Sequence, residues 1–116
     1  MNLEHLTSYL PHNADLYVKK WLENHFITLK ITRRRETKLG DYRKLVENNR
    51  HQITVNGDLN QYAFFFVFTH EVAHLKTFVQ FDSRKINPHG KEWKTIFGHL
   101  LLESLHIYPE ELQPYI

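Results

Sequence analysis

Residues 61–79 are predominantly apolar and contain neither Gly nor Pro, yet two histidines and a glutamate stand in their middle. A run this long and this apolar predicts a helix buried on most of its circumference. The polar insert reads His70-Glu71-Val72-Ala73-His74. Positions i and i+4 share a helix face, so both imidazoles point the same way. Burying two imidazoles and a carboxylate on such a helix is costly unless they have a common partner. The flanks are uncharged, with Val67, Phe68 and Thr69 before the motif and Leu75 after it. Two neutral imidazole nitrogens on one face can hold one Zn²⁺. Glu71, beside the metal but not bound to it, can then take a proton from water and pass it on.

A catalytic zinc site needs a third protein ligand and an open position. Downstream of His74 the candidates are His89, His99 and His106, and the acids Asp82, Glu92 and Glu103. His89 is favoured, in the loop segment Pro88-His89-Gly90-Lys91-Glu92-Trp93. Pro88 stiffens the approach, and Gly90 lets the backbone come near the metal helix. Trp93 is expected to pack behind His89.

The 116 residues suffice for a single domain with a modest core, residues 1–116. The absence of Cys excludes disulfides, Cys-based zinc sites and thiol nucleophiles. The N-terminus has no basic start followed by an apolar run, and the longest apolar run, 63–68, is too short to span a bilayer. A cytoplasmic location is the default expectation. Charge is unevenly spread. Lys30, Arg33, Arg34, Arg35, Lys38, Arg43, Lys44 and Arg50 are opposed only by Glu36, Asp41 and Glu47 over the same stretch. Such a cluster suggests contact with a polyanion, nucleic acid first. Charged strand edges that prevent aggregation are the plain alternative.

The pattern along the chain predicts an α+β order. Residues 3–10 form a short helix stopped by Pro11. Asn13 is the expected N-cap of an amphipathic helix over 14–25, with Leu16, Val18, Trp21, Leu22 and Phe26 directed to the core. Residues 26–33 alternate as a half-buried strand with Ile27, Leu29 and Ile31 inward. Leu39-Gly40-Asp41-Tyr42 is a turn or bulge leading into a second strand that ends near Val46. Residues 47–50 turn, and 51–55 form a third strand closed by Asn56-Gly57-Asp58. The motif helix follows, then a polar loop over 81–90. A helix over 91–105 has Trp93, Ile96, Phe97, Leu100 and Leu101 on its apolar face, and a short turn at 110–112 completes the chain.

These motifs resemble the SprT-like zinc metallopeptidases, which include the bacterial SprT proteins and the protease domain of Spartan. The family pattern is HExxH on a helix, a loop, and then His-Gly-x-x-Trp/Phe. Here it reads His70-Glu71-Val72-Ala73-His74 followed by His89-Gly90-Lys91-Glu92-Trp93. Arg35, Gly40 and Gln52-Ile53-Thr54-Val55-Asn56 are similar to the upstream part, so that the likeness covers about 28–97. The chain departs from related zincins at Leu39-Gly40-Asp41-Tyr42, where they often carry a Trp-Gly-Ser-Cys-like turn, and no Cys-rich zinc ribbon follows the motif helices. The resemblance implies a minimal zincin-like α+β domain, with a small three-stranded sheet packed on a central HExxH helix and further helices. It implies a hydrolase with one catalytic Zn²⁺ on His70, His74 and His89, and with Glu71 as general base. It also implies a protein or peptide substrate, including DNA-associated or crosslinked protein. Tyr42, Tyr62 and Arg33 to Arg35 are chemically able to stabilise an oxyanion. The strand over 51–55 is the expected edge on which an extended substrate pairs.

Two other functions fit the same residues. One is a nucleic-acid-binding module with a structural or vestigial zinc site, using Lys30, Arg33, Arg34, Arg35, Lys38, Arg43 and Lys44. The other is a zinc hydrolase of amides or small peptides, which a large closed pocket would favour and an open groove would oppose.

Overall fold

The longest element begins where Asn60 caps it. In the computed structural model, which describes residues 4–46, 50–81 and 84–116, the Asn60 side-chain oxygen accepts from the backbone N–H of Tyr62 (3.0 Å) and Ala63 (2.9 Å). Two donors that a helix start leaves unpaired are thereby satisfied. The helix then runs over Gln61–Gln80. Its middle is buried nearly all round, by Phe64, Phe65, Phe68, Val72, Ala73 and Leu75. Thr69 and Thr77 are buried as well. Their hydroxyls donate to the carbonyls of Phe65 and Ala73, each at 2.7 Å, so neither is left without a partner.

The preceding elements are α1 (Glu4–Thr7), α2 (Ala14–Leu22), β1 (Ile27–Thr32), β2 (Gly40–Leu45) and β3 (Arg50–Asn56). The long helix is α3, and α4 spans Lys91–Glu103, with short 3₁₀ turns at Leu105–Ile107 and Gln113–Tyr115. The strand order is β1-β3-β2, with β3 parallel to β1 and antiparallel to β2. Register sets the side chains in rows across the strands: Leu29, Ile53 and Tyr42 share one row, and Ile31, Val55 and Gly40 the next. These residues form the face toward α3, and Ile53 and Val55 are each 1 % exposed. The helix is therefore sandwiched between this face and a layer made by α2 and α4. Trp21 of α2 stacks on Phe65 with ring centroids 5.8 Å apart, and Phe97 of α4 meets Phe66 at 5.4 Å.

This is the expected α+β arrangement, with several local differences. Helix α1 is shorter than 3–10, and Leu3 lies outside the described residues. Asn13 adopts left-handed backbone (φ 69°) and makes no side-chain cap. Asn tolerates that conformation better than most residues, so here it turns the chain rather than capping α2. Leu16 and Phe26 are exposed (60 % and 69 %), not core. Leu16 lies two residues from Val18, on another side of a 3.6-residue turn. Gly40 is no turn residue. It opens β2, paired with Val55. Of the turn at 47–50, residues 47–49 lie outside the described residues, and Arg50 already belongs to β3. Helix α4 stops at Glu103 instead of 105.

The largest correction concerns the edge. β3 is the central strand, with a partner on each side, so its backbone has no room for a substrate strand. The sequence orders the strands along the chain, but register and the β1–β3 parallel pairing order them in space. The strand beside α3 with an unpaired edge among the described residues is β2.

Candidate metal centre

His70 and His74 lie one helical turn apart on α3, and His89 reaches them from the loop before α4. The three Nε2 atoms converge: 3.2 Å between His70 and His74, 3.0 Å between His74 and His89, and 3.3 Å between His89 and His70. A neutral imidazole offers one N–H and one lone pair, so three Nε2 atoms this close cannot all satisfy one another. A shared cation is the partner that suits all three. Among the described residues, this is the group able to hold a metal ion.

The loop that supplies His89 is set by a turn in which the Gly90 N–H donates to the Asn87 carbonyl (3.1 Å). Trp93, one turn into α4, backs the whole cluster. Its ring lies 5.2 Å from His74 at an interplanar angle of 23°. It meets His70 edge-on at 4.6 Å and His89 at 4.8 Å. Its indole N–H donates to the His70 carbonyl (3.3 Å). Burial lowers the His70 pKa, and a neighbouring imidazole adds to the effect. For His74, burial and the two neighbouring imidazoles push the pKa down to about 4. Both rings are therefore neutral near pH 7, with lone pairs free for a metal.

Glu71 lies against Gly40 of β2 and is 6 % exposed. Burial, then the nearby Asp41 carboxylate, raise its pKa to about 7, against the opposing pull of Arg35 and Lys38. What lets β2 lie so close is Gly40. A Cβ there would stand 2.7 Å from Val67 Cγ1, 3.0 Å from the Thr54 carbonyl oxygen and 3.3 Å from Glu71 Oε2. A polar network fixes this approach. Arg35 Nε donates to Asn56 Oδ1 (2.8 Å) and Arg35 Nη1 to Asp41 Oδ2 (3.0 Å). Lys38 Nζ pairs with the same Asp41 oxygen (3.2 Å), and Asn56 Nδ2 donates to the Lys38 carbonyl (2.9 Å). Asn56 itself is fully buried.

In front of these groups runs a cleft. One part, of about 410 Å³, is lined by Gly40, Asp41, Tyr42, His70, Glu71, His74, Pro88 and His89. A second part, of about 390 Å³, adds Thr37, Lys38, Leu39, Phe66 and Val67, and shares Gly40, His70 and Glu71 with the first. The cleft is open to solvent along its length.

A family model described as SprT-like family matches residues 8–105, most of the chain. The chain belongs to the SprT-like family. No curated protein and no solved structure matches it. The cluster able to hold a metal ion in this SprT-like chain is the set favoured from its sequence, His70, His74 and His89. The rival ligands stand elsewhere. His99 is exposed on α4. His106 Nε2 lies 2.9 Å from the Tyr17 hydroxyl. Glu103 accepts from the Trp21 indole (3.0 Å) and pairs with Lys20, and Glu92 lies in the first turn of α4. Asp82 lies outside the described residues.

The basic residues do not form one patch. Arg35 and Lys38 are engaged with Asp41 and Asn56, and Arg34 lies 4.0 Å from Asp58. Lys30 and Arg43 are exposed on the sheet face away from α3, whereas Lys44 is in register with the opposite face. Arg33 and Arg50 are exposed at strand ends. Of the groups able to stabilise an oxyanion, Tyr42 lines the cleft, and its hydroxyl lies 2.7 Å from His51 Nδ1. Tyr62 lines an adjoining apolar cavity, not the part of the cleft beside the histidines. Sequence reasoning missed the Arg35–Asp41–Asn56 network and the Tyr42–His51 pair. Arg35 and Asp41 are six residues apart, Tyr42 and His51 nine, and Arg35 and Asn56 twenty-one, and the spacing of polar residues in sequence carries no signal of such pairing.

Proposed function

We propose that this protein is a zinc-dependent peptidase, on the strength of one observation above all: three converging Nε2 atoms with a buried carboxylate one residue along from the first ligand. Tetrahedral ligation with Zn–N of about 2.0–2.1 Å sets ligand nitrogens roughly 3.3–3.4 Å apart. The spacings of 3.0–3.3 Å fit that demand closely. His70, His74 and His89 would hold the ion. Zinc, when bound, would lower the pKa of water and polarise a peptide carbonyl.

The remaining work falls to the chain's own residues. Glu71, largely buried between α3 and β2 but lining the cleft, accepts the proton of the attacking water and delivers it to the leaving amine. A purely structural zinc site has no need of a buried carboxylate beside it, and this weighs against a vestigial site. Tyr42 is the phenol on the cleft wall and would donate to the oxyanion. Trp93 holds the three imidazoles in place and excludes water behind them. The open cleft suits an extended polypeptide better than a small amide. The free edge of β2 offers backbone groups to such a chain. Recognition through backbone fits unfolded or crosslinked protein as substrate. Contact with DNA would use Lys30, Arg33 and Arg43, exposed cations outside the Asp41 network, in a cytoplasmic enzyme of DNA–protein crosslink repair.

The deciding experiment is digestion of an unfolded DNA-binding protein by the zinc-loaded chain, with and without single-stranded DNA, beside Glu71→Gln. Cleavage that needs Glu71 is expected. Absence of cleavage with zinc bound would overturn the peptidase reading, and indifference to DNA would remove nucleic acid from it.

A further inference from the structure

At the N-terminal end of α3 lies an apolar cavity of about 380 Å³. Its walls include Leu39, Ala63, Phe66, Val67, Leu112 and Tyr115. Among the described residues, no Asp, Glu, Lys, Arg or His lines it. Three of the large apolar side chains around it are open to water: Leu39 at 52 %, Leu112 at 39 % and Tyr115 at 85 %. Scattered exposed apolar residues are ordinary, but several around one concavity mark a binding site. The volume falls at the small end of ligand pockets, about 300–1,000 Å³.

What would fill it follows from where it opens. Leu39, Phe66 and Val67 also line the cleft that contains Gly40, His70 and Glu71. Phe66 and Val67 precede His70 by four and three residues, roughly 5–6 Å along the helix axis. An extended peptide advances about 3.3 Å per residue. A side chain one or two residues from the scissile bond therefore reaches the cavity.

Strand direction gives the side of the bond. β2 runs from Gly40, beside Val67 and Glu71, to Tyr42, which shares a cavity with His74 and Phe78. A peptide pairing antiparallel to the free edge of β2, the slightly more stable mode, runs the opposite way. Its residues after the scissile bond move toward Leu39. We propose that this cavity receives a large apolar side chain (Leu, Ile, Met or Phe) of the substrate, one or two residues C-terminal to the cleaved bond. The proposal deepens the peptidase reading and rests on it.

The test uses the full zinc-loaded chain and a mixture of unfolded peptides, with cleavage sites mapped by mass spectrometry. Large apolar residues should be enriched several-fold at one fixed position after the cut. Ala63→Phe, which fills the cavity, should lower the ratio of kcat/KM for a Leu peptide over its Gly counterpart at least tenfold. Leu112→Glu should shift the preference at that position toward Lys and Arg. A binding measurement separates the two readings. Zinc-loaded Glu71→Gln is titrated with capped peptides carrying Leu or Gly at the same position. The Leu peptide should bind at least fivefold tighter, and Ala63→Phe should erase the difference. Cleavage with no positional preference, or a preference unmoved by both variants, would overturn the pocket and leave the peptidase intact. No cleavage, with the Leu preference present in binding and erased by Ala63→Phe, would leave the pocket and remove the peptidase. Equal binding of the two peptides overturns the pocket whether or not the chain cleaves.

Discussion

Gly40 lies against Glu71: a Cβ at Gly40 would come within 3.3 Å of Glu71 Oε2, and within 2.7 Å of Val67 Cγ1. The missing side chain is what allows a sheet strand to bury the Glu71 carboxylate. Gly40→Ala should force β2 away from α3. Its expected cost is roughly 1–3 kcal/mol, as for overpacking elsewhere, together with a fall in activity. Urea melts and kcat/KM would report both. Stability and activity equal to the parent would show that β2 moves freely and that the close approach has no role.

Glu71→Gln keeps the shape of the side chain and removes its basicity. Metal content should be unchanged while kcat falls by about 10²–10⁴, the usual worth of a positioned acid–base group. Cleavage at the parental rate, with metal analysis confirming bound zinc, would take Glu71 out of the mechanism.

Metal binding should stabilise the fold, because the site is assembled from α3 and the loop before α4. At free zinc of 100 Kd the gain is about 2.7 kcal/mol, visible as a zinc-dependent rise in Tm. His89→Ala should abolish most of that rise with little change in the metal-free protein, since His89 is exposed. A rise that persists in His89→Ala would place the third ligand elsewhere.

Asp41 ties the segment before β2 to Arg35 and Lys38. Burial alone would raise its pKa, but the hydrogen bonds from Lys38 and Arg35 prevail and lower it. The folded value thus lies below the unfolded one, about 3.9. The sign follows: the stabilisation is present above the unfolded pKa and is lost as pH falls through the folded pKa. Asp41→Asn should cost about 1–2 kcal/mol at neutral pH, a figure discounted for the partial exposure of Lys38. It should also flatten the loss of stability below about pH 4. Parallel pH profiles for parent and variant would show that Asp41 has the same pKa folded and unfolded.

Lys30 and Arg43 are exposed on the same sheet face. If that face meets nucleic acid, affinity falls steeply with salt, and each cation removed lowers the log–log slope by about 1. Lys30→Gln and Arg43→Gln, measured by anisotropy across a salt series, should each do so. A slope unchanged in both would assign the cations to solvation of the sheet.

The helix that carries His70 and His74 was legible from sequence because its demands are local. Burial along 61–79 and the i, i+4 spacing of His70 and His74 are set by helical geometry alone. His89 was also within reach, since a Gly and a Trp at short range fix its loop. The sheet was different. Alternation marked three strands, but their order depends on which backbone edges pair, and that is decided by contacts between distant segments. Hence β3 is central, and the unpaired edge beside α3 among the described residues belongs to β2. The basic residues divide for the same reason: Arg35 and Lys38 are tied to Asp41 and buried Asn56 in the fold, a pairing that charge along the chain cannot express. The sequence by itself determined which atoms can hold a metal and move a proton. The tertiary structure decided which strand borders them, which cations stay outside the Asp41 network, and how an apolar cavity joins the cleft, because each of these is a relation between surfaces brought together only by packing.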